Sequence, residues 1–158
     1  MPHRFRLQSV LSYRKQLEEA LQLELARLEQ ELRRERSALE NLEAHKEMQM
    51  ETILSYQTAP RLDARQIANA YSYLERVEWS IQRQLELLSS LASQVERKRG
   101  EVMAAMQERK VLENLKERED RRFLEWLNRV EASIVDEIAT TQHSRRAREA
   151  AEEEERHA

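Results

Sequence analysis

One internal proline constrains this chain more than any other residue. After Pro2 the sequence contains Pro60 and a single glycine, Gly100, and otherwise runs in Leu, Glu, Arg, Ala and Gln. These are strong helix formers. Pro60 cannot donate a helical hydrogen bond and pushes Ala59 out of the helical region. Two long helices joined at Thr58-Ala59-Pro60-Arg61-Leu62-Asp63 are therefore predicted, the first over about 6–56 and the second over about 64–148. Asp63 stands where a helix N-cap belongs. A short connection between long helices makes them antiparallel neighbours. The scarcity of aromatic residues, 5%, and of turn residues argues against strands. Apolar residues still reach 40% and recur regularly, which argues against disorder. The expected fold class is all-α: a single coiled-coil domain over 1–158, built as an antiparallel hairpin with the second helix overhanging.

The apolar residues agree with this plan. Leu7, Val10, Leu17, Leu21, Leu25, Leu28, Leu32, Leu39, Leu42 and Ile53 form a seam along the first helix. From Leu21 to Leu42 the spacing follows a heptad, whereas Leu17, Leu21 and Leu25 stand four apart, which predicts a local stutter. In the second helix Ile67, Leu74, Ile81, Leu88, Val95 and Val102 are each seven apart. Ala70, Val77, Leu91, Ala105 and Leu112 fill the companion position, and Gln84 and Lys98 interrupt it. Folding at Pro60 sets residue i against roughly residue 121 − i. Leu39 then meets Ile81, Leu32 meets Leu88, Leu25 meets Val95, Leu11 meets Leu112 and Leu7 meets Leu115. Glu35 meets Arg83 or Gln84, a polar contact that fixes register at some cost in stability.

The first helix covers the second only to about Lys116. The continuation from Glu117 to about Arg148 is roughly 30 residues, about 45 Å of helix. Its apolar face is Phe123, Trp126, Leu127, Val130, Ile134 and Ile138. Burying six such side chains is worth roughly 10 kcal/mol at best, much of it offset by ordering and association. Helical stability comes mostly from packing an apolar face, so this stretch calls for a partner. The acidic stretch 149–158 is expected to fray.

Charge and motif content exclude several functions. The net charge is −3, with 27 basic and 30 acidic side chains interleaved, so no broad field favours nucleic acid or an anionic membrane. Arg121, Arg122, Arg145, Arg146 and Arg148 flank the overhang, but with no stacking platform they suit an acidic protein partner better than nucleic acid. The chain has no cysteine, no long apolar span, and an opening stretch without the apolar core of a secretory signal. His3, His45, His143 and His157 lack a second ligand at helical spacing, so no metal site is expected. Glu40, Glu43 and Glu47 share one helix face and read as a solvated row. Catalysis by such groups needs a concave pocket, which a two-helix rod lacks. No phosphate-cradling glycine motif is present. No cofactor and no catalytic residue are therefore expected. Gly100 falls on the outer face and reads as a tolerated surface glycine, with a hinge as the alternative. Tyr56, Tyr71, Tyr73 and Trp79 gather toward the turn, either as an interface or as cover for the seam edges.

Three segments carry a resemblance. The opening RFRLQSVLSYRKQLEEA, the charged stretch RKVLENLKERED from Arg109 to Asp120, and Asp136-Glu137-Ile138-Ala139 resemble the flagellar export protein family FliJ in order and spacing, as does the run Ile67 to Ile81. The resemblance implies a non-enzymatic stalk and adaptor of the flagellar type III export apparatus. It would be cytoplasmic, peripheral at the inner face of the cell membrane through its partners, and monomeric. The partners implied are the export ATPase, the cytoplasmic domain of the export gate, and substrate chaperones. Carried onto this sequence, ATPase binding falls to Leu7, Val10, Leu11, Leu115, Phe123, Trp126, Asp136 and Glu137. Contact with the gate falls to Leu42, His45, Tyr73 and Val77. The equivalent stalk of a virulence-type secretion system and a self-associating coiled-coil scaffold remain as alternatives.

Overall fold

A computed structural model describes residues 4–157. It contains two helices, α1 (Gln8–Gln57) and α2 (Ala64–His157), folded as an antiparallel hairpin. The connection is built as the sequence requires. Thr58 closes α1 by donating from its amide and hydroxyl to the Leu54 carbonyl, at 3.1 and 3.0 Å. Asp63 caps α2: its Oδ1 accepts from the amides of Arg65 and Gln66 at 3.0 and 3.3 Å, satisfying donors that the first turn leaves open. Among the described residues none adopts a positive φ, so the reversal at Pro60 needs no glycine.

The chain divides into two compact units, Tyr13–Glu108, and Met1–Ser12 with Arg109–Ala158. In the first, the seam buries Leu32, Leu91 and Val95, with Leu25, Leu28 and Leu88 packed around them. Leu32 thus sits among Leu88, Leu91 and Val95, a knob in a hole of the facing helix. Toward the turn Ile53, Ala70 and Val77 are buried. Ala70 is small enough for Gln49, a seam residue, to donate to its carbonyl at 3.1 Å. Of the two partners open to Glu35, Gln84 makes the contact, donating to the Glu35 carbonyl at 2.9 Å and also to its carboxylate. Lys98, the other interruption, bridges Glu24 and Glu101, each at 2.8 Å. Hydrogen bonding to Lys98 holds the Glu24 carboxyl below the usual range, so this contact stabilises the fold at neutral pH and fades as pH falls through that lowered value. Arg99 reaches Glu29 at 3.0 Å, and Arg14 pairs with Glu108. Apart from Arg99, whose long side chain reaches Glu29 one heptad off, the partners that cross between the helices stand within a few residues of the expected register.

The seam differs from the sequence reading at its N-terminal end. Burial follows an unbroken heptad through Leu11, Arg14, Glu18, Leu21 and Leu25, so Glu18 is 6% exposed while Leu17 lies at its edge. No stutter is needed once a carboxylate is admitted to the seam. Gln22 Nε2 donates to Glu18 at 3.3 Å, and no buried side-chain polar atom among the described residues lacks a partner.

In the second unit Phe5 and Leu11 are buried, at 4% and 1% exposure, and Lys116 Nζ donates to Gln8 at 3.0 Å. From residue 131 to 157 every residue of α2 is exposed. The stretch expected to fray is helical through His157. Local charge explains this: Arg145 pairs with Glu149 one turn on at 3.0 Å, and Arg156 and His157 place basic groups in the last turn, where the helix dipole favours them.

Nothing lies within 4 Å of a Cβ built on Gly100. Gly100→Ala is therefore expected to stabilise the protein by about 1 kcal/mol, read as a higher Tm by circular dichroism. Leu91→Ala, which opens a cavity in the seam, should cost about 3 kcal/mol in urea unfolding.

Candidate functional site

The terminal surface is built by the start of α1 and the last part of α2. Leu7 and Val10 are 38% and 40% exposed, with Leu115 at 37%, so each shows roughly a third of its surface to solvent. Leu11, grouped with them in the sequence, is sealed and anchors the layer from beneath. Phe123 and Trp126 stack with ring centroids 5.8 Å apart. Phe123 is half-buried, while Trp126 stays more than half exposed. Beyond them Leu127 and Val130 are half-buried, and Ile134 and Ile138 are exposed. Ile134, Glu137, Ile138, Thr141 and Gln142 line an open depression of about 290 Å³. Asp136 and Glu137 are exposed beside this face. Leu124 and Val135, eleven residues apart and so nearly aligned along a helix, add apolar area outside the stripe read from the sequence.

Sequence reasoning also missed Phe5. It precedes the first helical turn and so falls outside any heptad count, yet its carbonyl accepts from the Gln8 amide at 3.2 Å as the helix starts. An apolar residue just ahead of a helix start, like that of a hydrophobic staple, was the available signal.

The surface near the turn has a different character. Leu42 is half-buried and Val77 buried in the seam, while His45 and Tyr73 are exposed. The aromatic residues carry cations: the Arg76 guanidinium lies 5.7 Å from the Tyr73 ring centre and that of Arg83 lies 4.8 Å from Trp79. Such pairs suit exposed rings that keep one face available. Tyr71 accepts from Gln57 Nε2 at 3.0 Å, and Tyr56 is half-buried. Tyr56 thus covers the seam edge, while Tyr73 and Trp79 are exposed.

His45, His143 and His157 are exposed, and His3 lies outside the described residues. Glu40, Glu43 and Glu47 are exposed along one face of α1. Among the described residues no cluster of three or more His, Cys, Asp or Glu is arranged to hold a metal, and no helix is long and apolar enough to cross a membrane.

Exposure sets the energetic expectation. Trp126→Ala should change unfolding free energy by about 0.5 kcal/mol or less, whereas Leu11→Ala should cost about 3 kcal/mol. Urea titration followed by circular dichroism distinguishes them, and equal losses would mean that Trp126 is packed rather than displayed.

Comparison with known proteins identifies a family for the chain. Residues 3–148 match the family described as flagellar FliJ protein. No similar curated protein and no similar solved structure was found. The match spans nearly the whole chain, both helices and the exposed face of α2 up to Arg148, and the chain belongs to the FliJ family, whose members are flagellar export-related coiled-coil proteins.

Proposed function

We propose that this protein is a non-catalytic stalk and adaptor of the flagellar export apparatus, docking with its terminal surface on the export ATPase ring. The observation that carries this reading is the apolar face of α2 at Trp126, Ile134 and Ile138, which is exposed among the described residues while the helix continues to His157. A helix of this kind gains its stability from what covers it. Within the contact, Leu7, Val10, Leu115, Phe123 and Trp126 supply the apolar area. Leu11 holds the layer from below, and Asp136 and Glu137 supply charge at the border. Aromatic residues in such a patch act as anchors, because they bury large area at little entropic cost.

The surface near the turn is proposed as the contact for the cytoplasmic domain of the export gate. His45 and Tyr73 reach the partner there, and Leu42 and Val77 hold the two helices in register behind them. Substrate chaperones are further partners of the same hairpin. Membrane placement follows from these partners and not from any span of the chain. The protein works as a monomer, a rigid connector between ring and gate.

The test is the ATPase activity and ring formation of the cognate export ATPase, with and without this protein. Stimulation is expected from the wild type and is expected to be lost with Phe123→Ala/Trp126→Ala, while His45→Ala/Tyr73→Ala retains it and loses binding to the gate domain. No effect of the folded wild type on the ATPase at any concentration would sink the ring contact.

A further inference from the structure

On the side of the hairpin carrying Tyr71, close to the turn, the two helices leave a second apolar surface. Met50, Ile53 and Leu54 from α1 and Tyr71 and Leu74 from α2 line an open groove of about 380 Å³. Ile53 is its buried floor, and Met50, Leu54 and Tyr71 are 52%, 61% and 45% exposed. The groove is distinct from the His45–Tyr73 surface: on the heptad, Met50 and Tyr71 flank the seam on one side, and His45 and Tyr73 flank it on the other.

Its border is acidic. Glu51 lines it, and Glu47 and Glu43 continue the row one and two turns back along α1. Glu78 stands seven residues beyond Tyr71 on the same side of α2. Lys46 reaches only Glu78, at 3.5 Å, leaving carboxylate in excess along the α1 edge. The groove is open along the helices rather than enclosed, so it suits an elongated ligand. The furrow between two antiparallel helices accepts the apolar stripe of a third.

We propose that this groove docks an amphipathic helix from another protein, one whose apolar stripe is bordered by Lys or Arg. Charge complementarity decides the occupant: a basic border meets Glu43, Glu47 and Glu51, which both attracts and orients the helix. A second copy of this chain is the poorer fit. Its exposed stretch from Phe123 to Ile138 carries Glu125, Glu131, Asp136 and Glu137 against the single cation Arg129, a net negative charge that would set carboxylates against carboxylates.

The probe is a synthetic amphipathic helix of about 18 residues, long enough to form on the surface, with a Leu stripe and Lys/Arg borders. Its control has the same stripe with Glu borders. Binding is read by fluorescence anisotropy and by the isotope-labelled methyl groups of the methionines. Met50 lies in the groove, and Met48, about 200° around the helix, faces away from it. The basic helix is expected to bind and to shift the Met50 resonance but not that of Met48. Glu47→Lys/Glu51→Lys should weaken it about tenfold and improve binding of the acidic control. Leu54→Gln, at an exposed position, should weaken both helices without changing the circular dichroism. The proposal is overturned if the two helices bind equally, if neither binds, or if the Met50 resonance stays in place. Self-association of the protein that Leu54→Gln abolishes would overturn it too, in favour of a second copy.

Discussion

Two helices can shield each other along only one stripe apiece, and the remaining features of this protein follow from that limit. The seam carries the stability: Leu32, Leu91 and Val95 with their neighbours in one unit, Phe5 and Leu11 in the other. Everything outside the stripe faces water or a partner. A third layer of structure would have covered Tyr73, Trp79, Leu54 and Trp126. Without one, these side chains stay on the surface, where apolar area of this size marks interaction sites.

The polar residues admitted to the seam work against this economy and set its geometry. Gln84 with Glu35, Gln49 with the Ala70 carbonyl, and Glu18 with Gln22 each replace an apolar contact by a hydrogen bond. None adds much stability, but the two that cross between the helices, Gln84 with Glu35 and Gln49 with Ala70, are satisfied only near the observed register, whereas the Gln22 to Glu18 bond lies within α1. Sliding the helices by one turn would strand a buried donor or acceptor, which costs more than the bond contributes. The outer ion pairs, Lys98 with Glu24 and Arg99 with Glu29, reinforce the same alignment at the rim. The proposed role as a connector asks for a fixed register more than for a deep core.

The functional assignment rests on contrast along α2. As far as Phe123 its seam positions are at least partly covered, and beyond residue 130 every residue is exposed while the helix continues. Membership of the FliJ family gives that exposed face a setting in flagellar export. The proposed gate contact at His45 and Tyr73 and the acidic groove at Leu54 flank the seam on opposite sides.

The sequence alone determined the helical hairpin, because Pro60 is the one internal proline and the heptads on either side of it have compatible lengths. It determined the N-cap at Asp63 and the apolar face from Phe123 to Ile138, since both depend on local spacing. It did not reveal that Glu18 enters the seam. A heptad count favours leucine, and only packing shows which of two adjacent residues the facing helix covers. Phe5 was hidden because it lies before the periodic region. The acidic composition of 149–158 predicts fraying, whereas the helix runs through His157, with Arg145 paired to Glu149 one turn on and Arg156 and His157 in its last turn. The groove between Met50 and Tyr71 was likewise decided by tertiary structure. Its residues come from two helices, and a concave surface exists only once they lie side by side.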